Sequence, residues 1–95
     1  MTESEFTQSA NAIFSRIESA LDNTDIDCNL NGGVLEIELE DGAKIIVNRH
    51  TPTREIWVAA KSGGFHYKLL DGKWQSTRDQ SELFGKLNEL CGITF

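Results

Sequence analysis

The chain has 95 residues, 15 of them Asp or Glu and 9 of them Lys or Arg, so its net charge at neutral pH is −6. A protein surface with this excess of negative charge repels nucleic acids and anionic membranes and attracts cations and basic proteins. The length predicts one domain spanning residues 1–95. No apolar run approaches the roughly 20 residues of a transmembrane helix, and the opening residues lack the features of a signal peptide. We therefore expect a cytoplasmic protein that binds neither nucleic acid nor membrane.

The negative charge is concentrated in the first half of the chain. Residues 1–43 sum to −9, residues 44–73 to +4 and residues 74–95 to −1. Between Ile17 and Ala43 the chain carries eight acidic residues and no Lys or Arg. We interpret this run as a working surface for a cation or a basic partner, and the alternative is a solvated face that maintains solubility.

The first predicted element is an amphipathic helix over residues 4–22. Its apolar residues recur at helical spacing, and Thr2 and Glu5 have the spacing of a capping box. Because residues three and four positions apart share a helix face, Glu18 and Asp22 belong to one polar stripe.

Beyond this helix the apolar period changes to two, which predicts short strands joined by tight turns. The first strand starts at Asp25 and places Asp25, Asp27 and Asn29 on one face, and Asn31-Gly32-Gly33 then turns the chain. The remaining predicted strands cover residues 34–40, 44–48, 55–60, 65–70 and a short segment around Trp74.

A final helix is predicted from Arg78 to Leu90, with Thr77 and Gln80 spaced as a second capping box. The order is helix, six strands, helix. Short turns favour an antiparallel meander, and both helices can bury their apolar stripes on one side of it. The predicted fold class is therefore α+β, a two-layer sandwich whose sheet leaves its other face to solvent.

Trp57 is the most informative aromatic residue. Ile56 and Val58 are the natural core residues of their strand, so the alternation sends Trp57 to the open face, where it suits a protein-binding hot spot. The alternative is a tryptophan covered by a loop. Trp74, in contrast, is predicted to lie in the core beneath a helix.

Catalytic motifs are missing from the sequence. His50 and His66 have no ligand spacing and are interpreted as polar surface groups, and Cys28 and Cys91 as core thiols. We therefore predict no catalytic residue.

The acidic segment that begins at Asp25 partly matches the sequence template of a calcium-binding EF-hand loop. Asp25, Asp27, Asn29 and Glu36 fall at its oxygen-donating positions, but Leu30 occupies the position that needs glycine. The segment therefore concentrates hard oxygen ligands on a surface and does not form an EF-hand.

Two stretches, DIDCNLNGGVLEIELEDG (residues 25–42) and KIIVNRHTPTREIWVAAKSGGFHY (residues 44–67), resemble the bacterial frataxin family. The helix, meander, helix order agrees with that family over the whole chain. The motifs that carry the resemblance are Asn29 to Leu35, Asn48-Arg49, Pro52, Ile56-Trp57 and Gly63-Gly64.

The resemblance implies a protein that binds iron through acidic residues of the first helix and first strand. It also implies that iron–sulfur cluster assembly is modulated through contacts with a cysteine desulfurase and a cluster scaffold. The implied metal contacts are Glu18, Asp22, Asp25 and Asp27. The implied partner-binding residues are Asn48, Arg49, Glu55 and Trp57. The chain differs from the family at His50 and Glu55, where Gln is usual, so scaffold binding could be weaker or pH-dependent.

The resulting hypothesis is an iron-binding adaptor, monomeric without iron, that holds Fe²⁺ or Fe³⁺ weakly and has no catalytic centre. One alternative is a ferroxidase, in which closely spaced carboxylates oxidise bound Fe²⁺. Another is a protein-binding module that works without metal.

Overall fold

The computed structural model describes residues 1–79 and 81–95. Within them the chain forms two α-helices, six β-strands and one short 3-10 helix. In chain order these are α1 (Glu3–Leu21), β1 (Asp27–Asn31), β2 (Val34–Glu38), β3 (Lys44–His50), the 3-10 helix Thr51–Thr53, β4 (Glu55–Ala60), β5 (Gly63–Leu70), β6 (Lys73–Ser76) and α2 (Leu83–Cys91). No helix in this described part is long and apolar enough to cross a membrane.

Helix α1 begins at the predicted capping box. The hydroxyl of Thr2 accepts the backbone N–H of Glu5 at 3.1 Å, and the Glu5 carboxylate accepts the backbone N–H of Thr2 at 3.0 Å. Both hydrogen bonds with Thr2 lower the pKa of Glu5, and the one from the Thr2 backbone has the larger effect. The helix therefore starts where two of its free N–H groups find partners.

The six strands form one antiparallel sheet in chain order, β1-β2-β3-β4-β5-β6. Alternate residues of β2 to β6 face the helices and form the core with them, and Cys28 of β1 packs against it, so the predicted fold class is confirmed. The buried core residues are Phe6, Ala10, Ile13, Phe14, Ile17, Leu21, Leu35, Ile37, Ile45, Val47, Ile56, Val58, Tyr67, Trp74, Leu83, Phe84 and Leu87. Trp74 lies beneath α1 as predicted, with its ring 6.2 Å from that of Phe6.

The β1–β2 hairpin turns through Gly32 and Gly33, whose φ values are +61° and +83°. Asn31 pairs with Val34, so this is a two-residue turn of the kind that requires positive φ at both positions. The predicted turn is therefore confirmed, and it fixes which residues of β1 and β2 lie opposite each other.

Strand β1 begins at Asp27, two residues later than predicted. The Thr24 hydroxyl donates to the carbonyl of Leu21 at 2.8 Å and accepts the N–H of Ile26 at 3.1 Å. Because the hydroxyl closes a local turn after α1, Asp25 lies in a bend and not in the strand.

Three other strand boundaries differ from the prediction. Strand β2 ends at Glu38 because Leu39 closes the next turn, donating its N–H to Ala43 at 2.8 Å. Strand β3 continues to His50, and β5 begins at Gly63 because the turn before it consists of Lys61 and Ser62.

Helix α2 begins at Leu83 and not at Arg78, so the predicted start was wrong. The Ser76 hydroxyl accepts the backbone N–H groups of Arg78 and Asp79, and the Asp79 carboxylate accepts that of Ser81. These contacts hold Arg78, Asp79 and Ser81 outside the helix. The predicted capping box involves Gln80, which lies outside the described residues.

Candidate metal-binding and partner-binding surfaces

The acidic ridge is defined here as Glu18, Asp22, Asp25 and Asp27. Glu18 lies on α1, Asp22 is the residue that caps the C-terminus of α1, and Asp27 lies on the edge strand β1. The pKa of the Cys28 thiol is raised first by partial burial and then by the charges of Glu18, Asp22 and Asp27. These three carboxylates therefore surround Cys28 with negative potential, while Asp25 is exposed in the bend before β1.

The pairing of β1 with β2 continues the negative surface onto the sheet face away from the helices, called the open face below. Asp27 lies directly opposite Glu38, and Asn29 lies opposite Glu36. Lys44 offsets one of these charges, with its Nζ 3.3 Å from Glu36 Oε1. Like charges opposite one another destabilise a sheet, so Asp27 and Glu38 form a pair that a cation would stabilise.

A shallow depression of about 130 Å³ lies at this pair. It is lined by Asp27, Cys28, Asn29, Glu36 and Glu38. Within residues 1–79 and 81–95, no three His, Cys, Asp or Glu side chains are placed to hold one metal ion together. The surface thus presents carboxylates as separate oxygen donors, which is an arrangement for weak binding of hard cations.

Trp57 lies on the open face, as the alternation predicts. Its strand neighbours Ile56 and Val58 are 0% and 1% exposed, whereas Trp57 is half-buried. In the sheet register Trp57 lies between Asn48 on β3 and His66 on β5. Asn48 and Trp57, both predicted partner-binding residues, are therefore adjacent on one surface.

Two imidazole rings, and not a loop, cover the faces of the Trp57 indole. The His50 ring centroid is 3.7 Å from that of Trp57, with the ring planes 12° apart. His66 stacks at 4.3 Å and 7°. Both histidines belong to this three-ring stack. The sequence is interpreted as placing them separately on the surface, and the structure brings them together around Trp57.

The nearly buried Glu55 carboxylate holds Trp57 in place through a hydrogen bond. It is 8% exposed, and its Oε1 accepts hydrogen bonds from Trp57 Nε1 at 2.8 Å and from the Thr53 hydroxyl at 3.0 Å. His66 Nδ1 lies 3.9 Å from the same oxygen. Burial alone would raise the pKa of Glu55, but the two hydrogen bonds and the positive charges of His66 and Lys68 lower it overall.

Arg49 is separated from the other predicted partner-binding residues. It lies opposite Ile56 in the sheet, on the face that carries the helices, and its guanidinium donates to the side-chain oxygen of Asn11 on α1 at 3.3 Å. Asn48 and Trp57 thus form the accessible pair, Glu55 supports them, and Arg49 joins β3 to α1.

Both cysteines pack against the edge of the core, in agreement with the prediction of core thiols. Burial raises the pKa of Cys91 to about 11. Since the thiolate is the reactive form, both sulfurs are weak nucleophiles at neutral pH.

Sequence reasoning missed the three-ring stack because the histidines are far from Trp57 in the chain. The signal that could have found it is the β4–β5 turn. With Lys61 and Ser62 as the turn residues, counting back along both strands places Trp57 opposite His66.

Comparison with known proteins gives three concordant matches. A family model for the frataxin-like domain matches residues 1–95. The "Iron-sulfur cluster assembly protein CyaY" of Neisseria meningitidis serogroup B is 53% identical over 91 residues, covering 94% of this chain and 85% of the relative. The protein of the same name from a Janthinobacterium species is 48% identical over 97 residues, covering 95% and 87%.

Solved structures agree with the sequence matches. Frataxin from Psychromonas ingrahamii superposes with a TM-score of 0.86 at 32% identity, covering 99% of this chain and 95% of the other. A trimeric Saccharomyces cerevisiae frataxin, solved in a ferrous complex, gives a TM-score of 0.75 at 26% identity, covering 95% and 82%. The chain therefore belongs to the bacterial frataxin family.

Proposed function

We propose that this protein is an iron-binding adaptor of iron–sulfur cluster assembly that contacts a cysteine desulfurase and the cluster scaffold. The observation that carries the proposal is about 50% identity, over nearly the whole chain, to relatives named for iron–sulfur cluster assembly. The ferrous complex of the yeast relative supports iron as the cation.

The acidic ridge and the neighbouring Glu38 would hold the iron. Three carboxylates surround Cys28, and Asp27 lies opposite Glu38, so a bound cation relieves repulsion that the fold imposes. Because the carboxylates are open to solvent and not preorganised, we expect dissociation constants on the order of 10⁻⁶ to 10⁻³ M.

The same ridge would guide the desulfurase. The ridge belongs to a chain segment, residues 17–43, with eight acidic residues and no Lys or Arg, and Lys44 pairs with one of the eight. The resulting negative field attracts a basic patch from a distance. The field would mainly accelerate association, so the affinity should fall steeply with salt.

The open face would bind the scaffold through Asn48 and Trp57. These side chains are adjacent, and the three-ring stack holds the indole rigidly, which reduces the entropy lost on binding. The two partners would thus occupy different surfaces and could bind together.

Reconstituted cluster assembly tests the proposal. Cluster formation would be followed with purified desulfurase and scaffold, with and without this protein, across a range of iron concentrations. The Asp22→Asn/Asp25→Asn variant should lose most of the effect. The matched control is Glu82→Gln/Glu89→Gln, which removes two exposed charges outside the ridge and should act like the wild type.

If the wild-type protein leaves the rate of cluster formation unchanged at every iron concentration, the proposed adaptor function is wrong. The ferroxidase alternative is tested in the same preparation. Oxygen consumption that is stoichiometric with added Fe²⁺, at low protein concentration, would favour the enzyme.

A further inference from the structure

The three-ring stack determines what a partner of the open face meets. Because His50 and His66 cover both faces of the Trp57 indole, a docking protein contacts the ring edges and the imidazoles. The His66 side chain is 45% exposed, which leaves its outer surface available. The imidazoles are therefore part of the contact surface.

Hydrogen bonding fixes the position of the proton on His50. Its Nδ1 lies 2.8 Å from the Thr53 hydroxyl, which itself donates to Glu55. An ionised carboxylate only accepts, so the Thr53 proton is used there, and His50 Nδ1 must be the donor to Thr53. In the neutral ring, Nε2 of His50 is then an acceptor.

One carboxylate and two cations on neighbouring segments lie near the stack. Strand β4 contributes Glu55, β5 contributes Lys68 opposite Glu55, and Arg54 follows the 3-10 helix beside Lys68. Glu55 is 8% exposed and already accepts two hydrogen bonds, so it has little capacity for a partner. Each protonated imidazole adds one positive charge to a neighbourhood that already contains the exposed Lys68 and the half-buried Arg54.

We propose that the three-ring stack is a pH-dependent recognition element that binds a carboxylate-bearing surface of the scaffold more tightly when its imidazoles are protonated. The inference rests on the proposed function, in which the open face binds the scaffold. Imidazoles ordinarily gain their proton between about pH 8 and pH 5. Protonation converts Nε2 of His50 from an acceptor into a donor and leaves both ring nitrogens of His66 as donors, and the partner that fits such cationic donors is acidic. The exposed Lys68 lies on the same face, opposite Glu55, in accord with an acidic partner.

The test measures scaffold affinity by calorimetry at pH 7.5, 6.5 and 5.5 at constant ionic strength. We expect binding roughly fivefold tighter at pH 5.5 than at pH 7.5, the effect of two partly exposed charge-assisted contacts. The key variant is His50→Phe/His66→Phe. It retains three aromatic rings, and because the chain contains two histidines it has no imidazole left. Titration of the scaffold itself affects both proteins equally, so the pH response of the wild type in excess of that of the variant measures the contribution of the imidazoles.

The possible outcomes separate this inference from the proposed function. Wild-type affinity that is equal at all three pH values, or a pH response in the variant as large as that of the wild type, overturns the recognition element alone. No scaffold binding at any pH overturns both. Nitrogen NMR of the isolated wild-type protein gives an independent check, since a neutral His50 protonated on Nε2 would contradict the hydrogen-bond chain and overturn the inference.

Discussion

Glu55 accepts a hydrogen bond from Trp57, two residues further along the same strand, with 2.8 Å between Oε1 and Nε1. Both side chains belong to the open face, yet Glu55 is nearly buried beneath its neighbours. The contact holds the indole by its one polar atom while two imidazoles hold its faces. Trp57 is therefore presented as a fixed group and not as a mobile surface side chain.

Removing the Glu55 carboxylate should destabilise the fold. Glu55→Ala leaves Trp57 Nε1 and the Thr53 hydroxyl without their acceptor, and we expect the free energy of unfolding to fall by about 1–3 kcal/mol. Glu55→Gln retains an acceptor and should cost less. Urea denaturation at pH 7 measures both values, and an Ala variant as stable as the wild type would contradict the anchoring role.

The same residue predicts part of the acid sensitivity. The folded-state pKa of Glu55 is lowered, so its stabilisation is complete above the unfolded value of about 4.3 and is lost as the pH falls through the folded value. Unfolding free energy measured from pH 7 to pH 3 should therefore decline less steeply in Glu55→Gln. Glu5 and Asp79, whose pKa values are also lowered, are present in both proteins and cancel in the comparison. Parallel curves would contradict the prediction.

Replacing the two tryptophans should have unequal effects. The sequence predicts a cost of roughly 1 kcal/mol or less for Trp57→Ala on an open face, but the stacking and the hydrogen bond raise our expectation to about 1–2 kcal/mol. Trp74→Ala removes a core side chain and should cost about 3–5 kcal/mol. Denaturation midpoints measure both, while scaffold binding should drop markedly for Trp57→Ala. Equal losses of stability would show that Trp57 functions as a core residue.

Cys28 can report on the charge of the acidic ridge. Carboxylates contribute to the raised pKa of Cys28, whereas burial alone raises that of Cys91. Asp22→Asn should therefore accelerate alkylation of Cys28 at pH 8 and leave Cys91 unchanged as an internal control. Mass spectrometry of the alkylated protein measures both rates.

Charge reversal tests the proposed desulfurase contact. Asp22→Lys/Asp25→Lys should slow association by an order of magnitude or so, with a smaller effect on dissociation, because exposed charges act mainly on the encounter. Stopped-flow or surface-binding kinetics at two salt concentrations measure this. Glu82→Lys/Glu89→Lys carries the same charge change elsewhere, and a similar loss in that control would show that net charge alone is responsible.

Much of the architecture is predictable because local signals agree with one another. Strand β4 has the predicted bounds, since alternation and flanking turn residues indicate the same segment. The start of α2 was not predictable from periodicity. The helical spacing of apolar residues is regular from Leu83 onward. The hydrogen bonds of Ser76 and Asp79 that precede the helix involve polar side chains, which do not change the apolar pattern.

The candidate surfaces were predictable to different degrees. The acidic run between residues 17 and 43 follows from charge counting, which is local, but the choice of the four ridge residues comes from the family resemblance. Asp25 lies in a bend and not in the strand that alternation predicts. The opposition of Asp27 and Glu38, and the stacking of His50 on Trp57, depend on which residues face each other across strands. That register is decided by the turns, where an error of one residue exchanges the two faces.

The order of strands in the sheet also bears on how the protein folds. Each strand pairs with its neighbour in the chain, so every hairpin closes a short loop at little entropic cost and the sheet can grow from either side. Its apolar face, however, is covered by α1 and α2, the first and last helices of the chain. The part of this face that α2 covers must therefore remain open during synthesis until α2 has left the ribosome, and completion of the hydrophobic core is a late event in folding.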